Sequence, residues 1–252
     1  MDIVNNIIEV YSVYKTYRPS SDFKIEDLNL EFEEGRITGL VGKNGSGKTT
    51  ILKLLAGLLH PDKGSIEILG YNIDQQFNEV REYMGFMYSE HHFYEYLSGG
   101  EFLYFVGNIK GVVQKALNDR IQNYSAYFEM DKILDKAIIE YSNGTKQKLS
   151  FLSQIINHPR ILMLDEPLNG LDPVMAKKMI LLIRELAVKY KTCIVVSAHQ
   201  LSFIHEICDS IIVINDGQVV FNEEIAKCDA AKFQKYILNL LDEDALSCPV
   251  ME

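Results

Sequence analysis

The chain has 252 residues, of which 47% are apolar and 24% are charged, so its length and apolar content suffice for a large buried core. It has 25 lysines plus arginines and 35 aspartates plus glutamates, and the formal charge of −10 argues against an extended nucleic-acid-binding surface. The four cysteines are widely spaced and form no CxxC pair, which predicts reduced thiols rather than a disulfide framework. We expect neither a secretory signal nor a membrane span, because the first residues lack a basic region and no apolar run approaches ~20 residues.

Short strand patterns alternate with longer helical patterns along most of the chain. Alternating apolar and polar residues predict strands at 7–14 and 23–32, and a continuous apolar run predicts a buried strand at 36–41, followed by a helix at 48–59. The later predicted elements are strands at 65–69 and 83–88, a mainly helical region at 98–157, a strand at 161–164, a helix at 174–190, a strand at 193–197, a helix at 201–208 and a strand at 211–214. This alternation predicts an α/β fold of parallel βαβ units with an inserted helical region.

A glycine-rich segment stands between the third predicted strand and the first predicted helix. Gly42–Thr49 reads Gly-Lys-Asn-Gly-Ser-Gly-Lys-Thr and fits the pattern G-x-x-x-x-G-K-[ST]. Its glycines let backbone N–H groups turn toward phosphate oxygens, and the positive end of the helix points at the same anion. Lys48 is expected to reach the β- and γ-phosphates, and the Thr49 hydroxyl to bind Mg²⁺. The alternative is a glycine-rich turn that binds no ligand. The predicted strand before the segment and the predicted helix after it disfavour that alternative.

A second motif, Leu162–Pro167, is an apolar strand that ends in Asp-Glu-Pro. Such a strand places Asp165 at the carboxyl edge of the sheet, where open α/β folds bind ligands, so Asp165 is the expected Mg²⁺ partner. The adjacent Glu166 is then free to orient and deprotonate an attacking water. A capped turn would explain this motif alone, but the two motifs together predict a nucleoside triphosphatase.

The two motifs resemble those of the nucleotide-binding subunit of ABC transporters, over roughly residues 7–221. The resemblance implies a P-loop NTPase core with a mainly parallel sheet, an N-terminal antiparallel β-subdomain and an inserted α-helical subdomain. It implies a single ABC ATPase domain over 1–252, divided into a catalytic core with the β-subdomain at 1–90 and 158–230, a helical subdomain at 91–157, and a C-terminal helix and tail at 231–252.

In that family a signature of LSGGQ type opens a helix between the two motifs and binds the γ-phosphate held by the opposite subunit. Tyr141–Thr145 (Tyr-Ser-Asn-Gly-Thr) stands in this place and keeps Ser142 and Gly144. A serine hydroxyl and free N–H groups at a helix start can bind an anion, and an ordinary N-cap explains the same residues. Leu97–Glu101 is a closer literal match, but it lies too early, and its serine and glutamate three residues apart predict a capping box.

Three further segments resemble family motifs, and a fourth departs from its motif. Leu168–Pro173 is similar to the D-loop, with Asp172 expected across the subunit interface and equally suited to cap the next helix. His199 matches the switch histidine that contacts the γ-phosphate, and Tyr17 matches the aromatic residue that stacks on adenine. The family's Q-loop glutamine is missing, and alignment puts Ser89 in its place, where it could hold a metal-bound water or lie in a surface turn.

The resemblance therefore assigns three sets of residues. The implied catalytic residues are Glu166, His199 and Lys48; the implied ATP-binding residues are Tyr17, Gly42, Asn44, Gly45, Ser46, Gly47, Lys48, Thr49, Thr50, Ser142, Gly144 and Asp172; the implied Mg²⁺ ligands are Thr49, Asp165 and Ser89. ATP and Mg²⁺ are the implied cofactors.

The resemblance also implies partners and a location. Two identical chains would pair head to tail around two ATP molecules and drive a separate integral membrane subunit, with no nucleic acid bound. The short C-terminal part and the Tyr-Ser-x-Gly signature favour export. The aromatic residues at 91–96 are expected to contact the membrane subunit or to lie in the core. The chain would be cytoplasmic, held by its partner at the inner face of the cell membrane. A soluble ABC-type ATPase of a protein-assembly system is the main alternative, while a nucleic-acid-linked ATPase and a P-loop kinase fit less well.

Overall fold

The computed structural model describes residues 5–17, 24–225 and 230–241. Within these ranges the strands are β1 (Asn6–Thr16), β2 (Lys24–Glu33), β3 (Ile37–Gly42), β4 (Lys63–Ile68), β5 (Tyr71–Asn72), β6 (Met84–Met87), β7 (Ile161–Asp165), β8 (Cys193–Ser197), β9 (Ser210–Asn215) and β10 (Gln218–Glu224). The α-helices are α1 (Lys48–Leu55), α2 (Ile73–Val80), α3 (Gly99–Ile109), α4 (Gln114–Tyr127), α5 (Asn143–Ile155), α6 (Pro173–Tyr190), α7 (Leu201–Ile207) and α8 (Ala230–Leu241).

The larger sheet has six strands in the order β10-β9-β3-β8-β7-β6. Its neighbouring strands are parallel, except that β10 runs antiparallel to β9. Strands β3, β7 and β8 are buried along their whole length, as continuous apolar runs predict for central parallel strands. Since β8 lies between β3 and β7, the carboxyl ends of these three strands meet at one edge of the sheet.

The smaller sheet is antiparallel, with the strand order β2-β1-β4-β5. Its buried face shares one apolar cluster with α1 and with one face of the larger sheet; Ile8, Leu30, Leu52, Met163 and Val195 belong to this cluster. Helix α1 is therefore held between the two sheets, and burial on both sides fixes the position of the loop that precedes it.

Helices α3, α4 and α5 lie in the chain between β6 and β7. They share a second apolar cluster with α6, α7 and the opposite face of the larger sheet. Phe128 and Phe151 are fully buried in this cluster, and their rings meet edge to face with centroids 6.2 Å apart. The predicted fold class is confirmed: a mainly parallel sheet, an N-terminal antiparallel sheet and an inserted group of helices.

Several element boundaries differ from the sequence predictions. Helix α1 ends at Leu55 rather than at residue 59, because Gly57 follows with a left-handed φ of +65° that stops the helix. Strand β5, helix α2 and strand β10 are not predicted from the sequence, since they are short or exposed along much of their length. Helix α8 lies where a C-terminal helix is expected, whereas Phe23, Cys228 and residues 242–252 of the predicted C-terminal helix and tail lie outside the described residues.

Two further expectations concern membrane spans and thiols. Among the described residues, no helix combines the length and the apolar character needed to cross a bilayer. Cys193 and Cys208 are free and buried, and burial raises the pKa of both thiols, so they behave as apolar core residues.

A half-buried histidine joins α4, the end of α5 and α6. His158 Nε2 lies 2.9 Å from Tyr124 Oη, and the imidazole packs on the ring of Tyr190 with centroids 4.2 Å apart. Burial, together with the positive charges of Arg120 and Lys189, lowers the pKa of His158 to about 4. The folded chain therefore keeps this imidazole neutral at a pH where the unfolded chain protonates it.

We expect His158→Asn to weaken the acid sensitivity of the fold. Stability from this group is complete above about pH 6.5 and is lost as the pH falls toward about 4, because only the unfolded imidazole takes up a proton in that range. Asparagine removes the titration and suits the left-handed φ of +52° at this position. The free energy of unfolding, measured by denaturant titration from pH 7 to pH 4, should fall less steeply in the variant. Parallel pH profiles for the two chains would contradict this account.

Candidate nucleotide-binding site

The loop between β3 and α1 has a backbone conformation that depends on its glycines. Gly45 and Gly47 have φ of +81° and +113°, and Gly47 is the N-cap of α1. A Cβ at Gly42 would lie 2.3 Å from the carbonyl oxygen of Ile214 and 2.4 Å from Ser46 Oγ, so this position excludes any side chain. The loop thus ends at a helix N-terminus, where free N–H groups and the helix dipole favour an anion.

Lys48, the first residue of α1, is buried beneath this loop. Its Nζ donates to the carbonyl oxygens of Gly42 at 2.8 Å and of Lys43 at 3.0 Å. Burial lowers the pKa of Lys48, while the carboxylates of Glu166 and Asp165 act in the opposite direction. The ammonium group donates to neutral carbonyl oxygens, and a phosphate oxygen would add the attraction of a second, opposite charge.

Asp165, the last residue of β7, connects two neighbouring elements through its two carboxylate oxygens. Thr49 Oγ1, in the first turn of α1, donates to Oδ2 at 2.9 Å, and Ser197 Oγ, at the end of β8, donates to Oδ1 at 2.6 Å. The carboxylate is buried, and these charge-assisted hydrogen bonds compensate its loss of water. A hydroxyl beside a carboxylate is an oxygen donor set that Mg²⁺ accepts, so these residues fit the implied ion.

Glu166 directly follows β7 in a left-handed conformation with a φ of +54°, which costs an unbranched residue about 1–2 kcal/mol. Its N–H donates to Ser197 Oγ at 3.1 Å and to the Ser197 carbonyl oxygen at 3.2 Å. Its Oε1 lies 3.1 Å from His199 Nε2. Burial raises the pKa of Glu166, partly offset by His199 and Lys48, and a raised pKa suits a carboxylate that must accept a proton near neutral pH.

These groups surround one cleft of about 370 Å³. It is lined by Asn44, Gly45, Gly47, Lys48, Thr49, Thr50, Ser89, Asp165, Glu166, Asn169 and His199. The structure therefore brings together most of the residues that the sequence assigns to nucleotide, metal and catalysis, Ser89 among them. Tyr17 lies beside the cleft, with its Oη 3.4 Å from Thr50 Oγ1. The roles of Tyr17 and of the cleft residues in binding and catalysis remain predictions.

Ser142 and Gly144 of the signature and Asp172 of the D-loop lie outside the lining of this cleft. Ser142 is the N-cap of α5 and accepts a hydrogen bond from the Thr145 N–H at 3.2 Å. Asp172 is the N-cap of α6 and accepts from the Val174 N–H at 2.9 Å. Within one chain both residues thus cap helices, and their contact with a partner's nucleotide stays a prediction. The capping box at Ser98 is confirmed, since both of its reciprocal hydrogen bonds are present.

The sequence analysis did not identify three polar residues of this site. Ser197 binds Asp165, Asn169 lines the cleft, and Gln147 Nε2 donates to the carbonyl oxygen of Glu166 at 2.9 Å. Ser197 could have been found by the argument used for Asp165, because it ends the neighbouring buried strand. The Gln147 contact joins a helix to a strand end 19 residues away, and no local pattern indicates it.

Residues 25–169, more than half of the chain, match the sequence model of the family described as ABC transporter. This chain belongs to the ABC transporter family. It is 34% identical over 223 residues to the bacitracin transport ATP-binding protein BcrA of Bacillus licheniformis. The aligned region covers 88% of this chain and 70% of BcrA. It is 33% identical over 195 residues to the uncharacterized ABC transporter ATP-binding protein YdbJ of Bacillus subtilis (strain 168). That aligned region covers 77% of this chain but only 62% of YdbJ.

A solved structure supports the fold. The ATP-binding cassette MJ0796, described as a dimeric post-hydrolysis state bound to ADP and Pi, superposes with a TM-score of 0.79 at 22% sequence identity. The superposition covers 88% of this chain and 100% of that one. At this level of identity the likeness establishes the fold. Together with the family match, it identifies the chain as an ATP-binding cassette of the ABC transporter family.

We expect Gly42→Ala to abolish nucleotide binding and Gly45→Ala to weaken it. The alanine methyl group at position 42 would overlap a backbone carbonyl oxygen, which cannot move aside, whereas the position at Gly45 is open. Gly45→Ala therefore adds only the strain of a left-handed alanine, about 1–2 kcal/mol. Equilibrium binding of a fluorescent ATP analogue would rank the two variants, with circular dichroism to verify folding. Equal affinities for both variants would refute the steric argument.

Proposed function

We propose that this chain hydrolyses ATP and, by ATP-driven closure of a dimer, powers a separate membrane-spanning transporter subunit, in the direction of export. The observation that carries the proposal is the placement of Lys48, Thr49, Asp165, Glu166 and His199 around one cleft. This cleft combines a cationic anchor, an oxygen donor set for a metal and a carboxylate of raised pKa. One bound nucleotide would thus lie beside groups that can bind its phosphates, hold a metal ion and accept a proton from an attacking water.

In this proposal the residues of the cleft divide the chemistry among themselves. Thr49 and Asp165 would hold Mg²⁺, with Ser89 as a further contact, and the ion would supply positive charge that offsets the charge of the phosphates. Lys48 binds the β- and γ-phosphates, and Tyr17 stacks on the adenine. Glu166 orients a water molecule and accepts its proton, and His199 contacts the γ-phosphate and fixes the carboxylate beside it.

A second copy of the chain completes the site in this proposal. Ser142, Gly144 and Asp172 do not line the cleft of their own chain, although the resemblance assigns them to nucleotide binding. Head-to-tail pairing would bring them to the nucleotide of the partner. The dimeric state described for MJ0796 supports this arrangement. Loss of the γ-phosphate contact after hydrolysis would reopen the pair, a change driven by differential affinity for two nucleotide states.

The membrane partner is proposed from the surface and from the names of relatives. Tyr94 and Tyr96 are 64% and 90% exposed, while Phe93 packs edge to face on Phe102, so the aromatic segment is part core and part surface. We assign the two exposed tyrosines to the contact with a membrane subunit, which would hold the chain at the inner face of the membrane. The name of BcrA refers to transport, which favours this function over a soluble assembly ATPase. The signature variant at 141–145 supports export rather than import.

We also propose that the chain divides into a core, a helical subdomain and a C-terminal part. The core is assigned to 1–90 and 158–230, the helical subdomain to 91–157 and the C-terminal part to 231–252. Helices α3 to α5 fill the middle segment, and the two core segments supply the larger sheet.

Glu166→Gln should keep ATP affinity and abolish turnover. The amide retains the shape of the carboxylate but cannot accept a proton, so we expect hydrolysis to fall at least about a hundredfold. With Mg²⁺ and ATP the variant should accumulate as a dimer, detected by light scattering after size exclusion. Glu185→Gln, an exposed glutamate paired with Lys189 on α6, is the control and should leave both readouts unchanged. Turnover at the wild-type rate in Glu166→Gln would remove Glu166 as the base.

Ser142→Arg and Ser98→Arg distinguish the signature from its literal look-alike. Both serines are helix N-caps that accept a hydrogen bond from the third N–H of the helix, at 3.2 and 3.1 Å, so each substitution removes the same cap at a cost of about 1 kcal/mol. We expect only Ser142→Arg to abolish ATP-driven pairing in the Glu166→Gln background, because its new side chain would occupy the interface. Pairing lost in Ser98→Arg and retained in Ser142→Arg would reverse the assignment.

A further inference from the structure

A buried glutamine on the signature helix has a partner in the catalytic segment. Gln147 lies on α5, five residues after Ser142, and is 1% exposed. Buried side-chain amides in folded proteins are hydrogen-bonded, and Gln147 Nε2 donates to the carbonyl oxygen of Glu166 at 2.9 Å. The functions assigned above make no use of this residue.

The backbone of Glu166 needs such support, because its left-handed conformation is strained. Its N–H donates to the carbonyl oxygen and the hydroxyl of Ser197, and its carbonyl oxygen also accepts from the Asn169 N–H at 3.2 Å. These bonds come from strand β8 and from the turn that Glu166 itself begins. The hydrogen bond from Gln147 joins the backbone of Glu166 to α5.

A second contact connects the same helix to the same segment. A Cβ at Gly144 would lie 2.6 Å from the carbonyl oxygen of Gly170, so the first turn of α5 lies directly against the backbone of the D-loop. Positions 144 and 147 are three residues apart and share one face of the helix. The first two turns of α5 therefore contact both ends of the segment Glu166–Gly170, and a shift of the helix displaces that segment.

We propose that Gln147 is a positioning residue that makes the orientation of Glu166 depend on the position of α5. The inference rests on the proposed function, in which Ser142 meets the partner's nucleotide while Glu166 acts on the nucleotide of its own chain. Ser142 and Gln147 are about 7.5 Å apart along one helix, at 1.5 Å per residue. When Ser142 binds the partner's nucleotide, the position of α5 thereby orients Glu166 at the nucleotide of its own chain, through the hydrogen bond from Gln147.

Gln147→Met tests the proposal through the separate behaviour of kcat and KM for ATP. Methionine keeps the length and helix preference of glutamine but has no N–H donor. We expect kcat to fall about tenfold or more, because small displacements of a catalytic group are costly, while KM stays within about threefold. The matched control is Gln154→Met on the same helix, whose Oε1 accepts from the Phe86 N–H of β6 at 3.1 Å. Its kcat should stay within about threefold of wild type.

Pairing measurements separate positioning from a merely structural role. In the Glu166→Gln background, Gln147→Met should leave ATP-driven dimer formation within about threefold, since the base is already absent and the signature is intact. Pairing lost in that double variant, or equal kcat values for Gln147→Met and Gln154→Met, would overturn the inference. If the wild-type chain neither pairs nor hydrolyses ATP, the proposed function fails first. Normal wild-type activity with indistinguishable variants refutes the role of Gln147 alone.

Discussion

The buried carboxylate of Asp165 is the group on which the arrangement of the cleft depends. Thr49 binds one of its oxygens and Ser197 the other, so the start of α1 and the ends of β7 and β8 are held together around one negative charge. Removal of either hydroxyl would leave a buried carboxylate oxygen without a partner, a loss of about 1–3 kcal/mol. Asp165 and Ser197 face each other in the register of adjacent parallel strands, so the order of the sheet itself brings this pair together.

The sequence predicts the parts of this site that are local. The phosphate loop is contiguous, Gly45 and Gly47 occupy positions of positive φ, and the strand before Asp165 is a single apolar run, so pattern alone finds them. Ser89 also lies at the cleft, as the resemblance implies. The left-handed conformation of Glu166 could not be predicted in this way, because glutamate has no preference for it and the contacts from Ser197 and Gln147 that stabilise it are distant in sequence.

The dependence on local pattern also explains where the predicted elements differ from the observed ones. The core strands and the long helices carry enough apolar residues for periodicity to indicate them, whereas β10 is exposed at most positions and β5 has two residues. Helix α1 is predicted four residues too long, because its leucine pattern continues past the glycine that ends it. The pattern of apolar residues indicates which positions are buried. It therefore does not predict elements that are mostly exposed, or helix ends that are decided by backbone conformation.

Ser142 and Asp172 both cap helices of their own chain, and the proposed pairing would give each residue a second contact. A serine hydroxyl has one donor and two acceptor sites, so Ser142 can accept from its helix N–H and still donate to a phosphate oxygen. An ionised aspartate only accepts, so beside the partner's nucleotide Asp172 would bind hydrogen-bond donors rather than phosphate oxygens.

The charge of the cleft adds a further constraint. Among the described residues that line it, Lys48 carries one positive charge, whereas Asp165 and Glu166 carry two negative charges. The two carboxylates would therefore repel a triphosphate, against the attraction of Lys48 and the loop N–H groups, unless a divalent cation enters with it.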